Sequence, residues 1–315
     1  MAVLRWNVWG KRALKATVGA VVLIAVGQHV VRTWQTLHAD GRAIHVEPVW
    51  AAAAVALYLA GLCGCGIFFG RVLSAGATPV GLLPALRAYL ISHLGKYVPG
   101  KAMVVVMRVG LVVPLGARPA TAAFATLYET LVMMAAGGLI AALGFATSAG
   151  QLVPRALGLG LGVAFLVTVE PRVFPRITAV LRMPFPGVGP DALPAPSHRL
   201  LVEGLLWSTL GWILLGLSQV AVIRALDPAG VAVGLWPLIV GSVALATVAG
   251  FVVPVTPGGL GVREWVLLNV LAPAVGLERA TLSALALRLA WVVGELLAAA
   301  VLSIARSRPA EAPVS

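Results

Sequence analysis

Negative charge is scarce in this sequence: 315 residues hold eleven Asp and Glu against twenty-three Lys and Arg, and charged residues make up only 11%. A soluble domain carries about 25% charged residues, so the chain is not an ordinary soluble fold. Cysteine is nearly absent as well. Cys63 and Cys65 sit in LCGCG inside an apolar run, where two residues apart on a helix they point in different directions. No His or third Cys joins them, which argues against a zinc site and leaves them as small packing residues. Also missing is a small-residue cleavage site after the first apolar stretch, where QHVVRTWQ follows, so that stretch is read as a membrane anchor and not as a signal peptide. A nucleotide-binding loop is missing too. Gly95-x-x-x-x-Gly100-Lys101 matches the P-loop spacing, but Ala102 lacks the Mg²⁺-binding hydroxyl and no strand precedes it. His29, His38 and His45 are irregularly spaced around one loop and read as solvated, and no nucleophile–base or metal constellation is visible. The sequence therefore predicts no catalytic residue, no metal, no cofactor and no enzymatic activity.

What remains is apolar. Hydrophobic residues make up 60% of the chain and its mean hydropathy is +0.99. Six runs read as full spans, at 13–31, 49–69, 120–145, 152–169, 200–223 and 280–304. No interval between them is long enough for a soluble domain, so 1–315 reads as one membrane domain. The net charge of +12 does not imply nucleic acid, because the arginines punctuate helix ends instead of forming a patch.

Two regions, about 80–113 and 235–275, are interrupted by Pro-Gly and carry charge at the interruption: GKYVPGKAMVVVMR from Gly95 to Arg108, and VPVTPGGLGVRE from Val253 to Glu264. Leu82–Ser92 and Ala102–Val113 each reach only about 16–18 Å as helix, too short for a ~30 Å hydrocarbon core. A re-entrant hairpin is the reading for the first region. The second has the same form, although 236–252 reaches about 25 Å and leaves a full crossing open. Placing the N-terminus inside puts Arg5, Lys11, Arg12, Lys15, Arg71, Arg118, Arg172, Arg176, Arg182, Arg199, Arg306 and Arg308 on the cytoplasmic side. Arg32, Arg42, Arg155, Arg224 and Arg279 fall outside, an imbalance in the positive-inside direction. Both termini are then cytoplasmic. The layout is an inverted repeat, with halves at 49–145 and 200–304 joined by the span at 152–169 and a cytoplasmic loop at 170–199.

Irregular backbone within hydrocarbon survives only where protein encloses it, and ionisable groups at that depth mark function. Pro99-Gly100 and Pro257-Gly258-Gly259 each precede a run that starts a helix, so each break aims a helix N-terminus, with free N–H groups, into the interior. The alternative for each is a plain kink. Lys96, Tyr97, Gly100, Lys101 and Arg108 around the first break, with Gly258, Gly259, Gly261 and Arg263 around the second, are the candidate contacts for an anionic lipid headgroup. Snorkelling to the headgroup layer is the alternative for the cations. Glu203, near a span end, reads as interfacial. Glu129, Glu264, Arg288 and Glu295 are assigned to charge balance or proton coupling, structural ion pairing with the hairpin cations being the alternative to a proton relay. Arg263 and Glu264 lie about 100° apart on a helix, so each needs a partner from another segment.

GKYVPGK with Arg108, the Glu129 span, VTPGGLGVREWVL at 255–267 and ALRLAWVVGEL with Arg288 together make the chain resemble the lysylphosphatidylglycerol synthase transmembrane-domain family of flippase-like membrane proteins. The resemblance runs across roughly 13–305 in order and spacing. It departs at Ala-Met-Val-Val-Val before Arg108, where family members commonly carry a small residue or glycine. The family implies a bacterial inner-membrane protein that moves an anionic phospholipid, glycolipid or polyprenyl-phosphate-linked lipid between leaflets, without the soluble aminoacyl-transferase domain. A glycosyltransferase or lipid-synthesis enzyme is the implied protein partner. The alternatives are a non-transporting scaffold for a glycosyltransferase and an intramembrane enzyme acting on lipid phosphates.

Overall fold

Proline opens three of the long helices, at Pro48, Pro119 and Pro237, where the missing N–H would have had no helical partner in any case. The computed structural model describes residues 46–76, 80–98, 102–146, 150–180, 196–253 and 261–304, with Ile24, Gln28, Val31 and Gln35 as isolated positions. The helices are α1 (Pro48–Ser74), α2 (Leu82–Ser92), α3 (Ala102–Val112), α4 (Pro119–Gly144), α5 (Leu152–Val169), α6 (Phe174–Val180), α7 (His198–Leu226), α8 (Trp236–Val252), α9 (Val262–Val275) and α10 (Leu277–Ile304). Short 3₁₀ turns follow α2 (His93–Tyr97) and α3 (Val113–Leu115) and precede α8 (Val233–Leu235). Every regular element among the described residues is helical.

Six of these segments are long and apolar enough to cross a membrane: α1, α4, α5, α7, Val233–Val252 and α10. The chain is a multi-pass helical membrane protein. Five of the six coincide with spans expected from the sequence. The sixth, Val233–Val252, falls where the sequence leaves a half-hairpin and a full crossing both open, and at twenty residues it has the length and apolar composition of a crossing segment. The expected span at 13–31 lies outside the described residues apart from three of the isolated positions, as do His29, His38 and His45. The 170–199 loop differs from expectation by containing α6, whose Phe174 packs edge-on against Phe124 and Tyr128 of α4 at 5.5 and 5.1 Å.

Terminal contacts sort the helix ends. Glu47 N–H donates to Ala225 O (2.8 Å) and Arg71 pairs with Glu203 (3.0 Å), so α1 and α7 are antiparallel neighbours. Asp227 pairs with Arg279 (2.6 Å), so α10 begins at the end where α7 finishes. Arg87 Nε donates to Leu302 O (2.7 Å), placing the end of α10 beside the middle of α2.

Close helix contact depends on small residues, as expected where lipid offers no hydrophobic drive between helices. A Cβ on Gly138 of α4 would lie 2.4 Å from Gly162 Cα of α5, and one on Gly211 of α7 would lie 3.1 Å from Cys65 Sγ of α1. The two cysteines are free, with Cys65 fully buried at that contact. Elsewhere α5 turns outward: Leu152, Val153, Leu157, Leu159 and Val167 are all at least half exposed, the surface of a helix that faces lipid. The one indole N–H buried between α7 and α4, Trp212 Nε1, donates to Met133 O at 2.7 Å.

Candidate functional site

Both interruptions begin for one local reason. Pro99 follows Val98 and Pro254 follows Val253, and a residue before proline is pushed out of helical conformation. Val98 (φ −78°, ψ 136°) and Val253 (φ −81°, ψ 109°) are accordingly extended, and the helical run stops at each. Gly100, Lys101, Gly258 and Gly259 lie outside the described residues, as do Pro99 and Pro254. Helix resumes at Ala102 and at Val262. Gly261, at φ +83°, occupies the left-handed region that glycine adopts without strain. Its N–H donates to Glu264 Oε2 at 2.7 Å, so this donor is taken by the chain's own carboxylate and is not free for a ligand.

The charges collect in two groups. In the first, Arg108 of α3 and Glu129 of α4 form an ion pair at 2.9 Å with both side chains at most 2% exposed. Arg108 Nε also donates to Ser92 Oγ (3.0 Å), and its guanidinium lies over the rings of Tyr89 (3.9 Å) and Phe69 (5.1 Å). Tyr89 OH donates to Glu129 Oε1 (3.0 Å), and Thr130 Oγ1 approaches Oε2 at 3.4 Å. Buried charges are tolerable when paired and fully hydrogen-bonded, and this pair is enclosed on all sides. Arg108, expected among the headgroup contacts, is committed here. It does not line the cleft described next.

The second group surrounds a cleft of about 460 Å³, the solvent at its open mouth included, lined by the described residues that flank both interruptions. Lys96 and Tyr97 reach it from the 3₁₀ turn before the first break, Arg263 and Glu264 from the start of α9, Arg288 and Trp291 from α10, and Thr247 from α8. Residues of two segments more than 160 positions apart thus share one wall. Glu264 pairs with Arg288, giving it the partner from another segment that its position on α9 demanded. Lys96 bridges to Glu295 of α10 and donates to Tyr58 OH (3.2 Å), while Tyr58 OH itself donates to the same carboxylate. Trp291 stacks on Tyr58 (centroids 4.5 Å apart, 11° between planes) and its indole N–H donates to Ser218 Oγ at 3.1 Å. Arg263 is different. Among the described residues its buried Nε has no hydrogen-bond partner.

Among the described residues lining or backing the cleft, three cations (Lys96, Arg263, Arg288) face two carboxylates (Glu264, Glu295), which leaves the site one positive charge in excess. A low-dielectric setting makes that excess strongly attractive to an anion. Tyr58, Tyr89 and His93 are not among the candidate residues the sequence points to. Tyr58 and Tyr89 lie within apolar runs, and a buried phenol needs a hydrogen-bond partner. That requirement was the available signal. No protein-family model matches the chain, and no curated protein matches its sequence.

Proposed function

We propose that the chain is a flippase-like lipid translocase whose cleft holds the phosphate of an anionic lipid while the acyl tails remain in the bilayer. The observation that carries this reading is the convergence of Lys96 and Arg263, from the two Pro-interrupted segments, on one cleft with surplus positive charge and an unpartnered guanidinium nitrogen. Phosphate suits such a site, since guanidinium and ammonium donors both bind it and it neutralises the excess. Lys96 and Arg263 supply the contacts, Tyr97 and Trp291 the aromatic walls, and the Arg108–Glu129 pair holds the first hairpin in place. Lys101, Gly100, Gly258 and Gly259 belong to the same proposal by their place in the chain.

Re-entrance of both broken segments is part of the reading. The 11-residue lengths of α2 and α3 support it for the first. The Asp227–Arg279 pair supports it for the second, because the chain leaves α7 and returns to start α10 at the same end of the molecule. Antiparallel α1 and α7, each leading toward a broken segment, support the inverted repeat. A bacterial inner membrane with cytoplasmic termini and membership of the lysylphosphatidylglycerol synthase transmembrane-domain family rest on the charge asymmetry and on the sequence resemblance.

The test is leaflet exchange of fluorescent phosphatidylglycerol in proteoliposomes of the full chain. Lys96→Ala and Arg263→Ala should each slow exchange at least tenfold. Exchange that persists unchanged in both variants assigns the site wrongly. Absence of exchange in the wild type with stable lipid binding favours the scaffold, and release of phosphate favours an enzyme.

A further inference from the structure

The four groups assigned to charge balance are not equivalent in their surroundings. Glu129 has both oxygens engaged, Oε1 by Tyr89 and Oε2 by Arg108 and Thr130. Glu264 is shared between Arg288 and the Gly261 N–H. Glu295, 1% exposed, is lopsided: Lys96 and Tyr58 both converge on Oε1, His93 Nε2 stands 3.9 Å from that same atom, and among the described residues the buried Oε2 has no hydrogen-bond partner. The cation that neutralises Glu295 is moreover one that lines the cleft.

Building on the proposed headgroup site, we infer that Glu295 is its proton-binding group, and that each phosphodiester anion taken up by Lys96 and Arg263 brings one proton with it. In the empty cleft Lys96 neutralises Glu295. When the anion's oxygens take the Lys96 donors, a buried carboxylate is left with the Tyr58 and Tyr97 hydroxyls, both neutral, and with no cation bonded to it. An unpaired carboxylate in a low-dielectric interior is strongly disfavoured and protonates instead. A proton transferred from hydronium forms an O–H bond at the vacant Oε2, leaving water behind; on release of the anion Lys96 returns and the proton goes back to water. The groups facing Glu295 permit this. Tyr58 (α1) and Tyr97 are neutral phenols, and His93 keeps its Nδ1 without a partner. Arg263 (α9) is drawn to the same anion, Arg288 on its own helix is committed to Glu264, and from α7 the neutral Ser218 holds the neighbouring Trp291 indole. Arg87 of α2 is tied to the Leu302 carbonyl further along α10. The lipid and the proton therefore travel together, and a proton gradient can drive the lipid.

The sign follows from linkage. Proton uptake on binding makes affinity rise as pH falls, by about tenfold per pH unit where one full proton is exchanged. Calorimetric titration of the purified full chain with dioctanoyl phosphatidylglycerol, in buffers of different ionisation enthalpy, reads the proton number directly. As a phosphodiester the probe lacks the second ionisation of a monophosphate near pH ~6, so its own charge stays constant. The expected result is one proton taken up per lipid in the wild type. Glu295→Gln should bind with no proton uptake and a flat pH profile. Binding that is lost in Arg263→Ala yet takes up no proton in the wild type overturns the inference and leaves the headgroup site standing. Binding that is absent, or indifferent to Arg263→Ala, overturns both. Should Glu295→Gln not fold, the wild-type proton number alone decides.

Discussion

At the scale of single residues, Arg108 and Lys96 show two uses of a cation inside a membrane protein. Arg108 is sealed by Glu129, Ser92 and two aromatic faces, so its role is to fix α3 against α4. Removing one partner of a buried pair strands the other, at a cost of about 3–5 kcal/mol. Arg108→Met should lower stability by that amount, and adding Glu129→Gln should recover a large part of it. A double-mutant cycle followed by denaturant unfolding in detergent measures the coupling, and additive losses would deny the pair any structural role. Lys96 instead lines the open cleft together with Arg263. Sequence alone grouped the two cations because both flank Pro99-Gly100. It could place them near the break, but the helical rotation that turns Arg108 inward and Lys96 toward α10 depends on packing partners up to 199 positions away.

At the scale of elements, glycine placement separates helix faces that hydropathy does not. On α5, Gly158 and Gly162 press against α4, while Gly160 has open space around its Cα. Gly162→Val should separate α4 from α5, and a loss of 2 kcal/mol or more is expected for overpacking a close backbone contact (roughly 1–3 kcal/mol and occasionally more). Gly160→Ala should be neutral or stabilising by up to ~1 kcal/mol. The unfolding midpoints of the two variants in one detergent give the comparison, and similar midpoints would refute the packing assignment. The long helices were legible from their apolar length, and the stop at Val98 from the proline after it. The extent of Val233–Val252 was harder, because its run matches a crossing helix and a deep half-hairpin equally well. Helix α6 lay hidden in a Pro- and Arg-rich stretch, since only the aromatic pocket on α4 gives Phe174 somewhere to go.

At the scale of the whole molecule, the end-to-end contacts divide the chain into two faces: Arg71, Glu203, Arg87 and Leu302 at one, Glu47, Ala225, Asp227 and Arg279 at the other. In a variant with both native cysteines replaced by alanine, Ala75→Cys and Leu115→Cys should react with an impermeant maleimide from one side of the membrane and Ala229→Cys from the other. Reaction of positions 75 and 115 from opposite sides would mean that the first broken segment crosses the bilayer. The ion pairs also impose an order on biosynthesis. Glu129 follows Arg108 by 21 residues, so that pair can close while the chain is still being made. Lys96 waits 199 residues for Glu295, which lies on α10. Until α10 is inserted, the tip of the first broken segment holds a bare ammonium that favours the aqueous interface. The cleft is therefore assembled only once α10 is in place, and a chain cut short before α10 presents an exposed Lys96 to the machinery that clears unfinished membrane proteins.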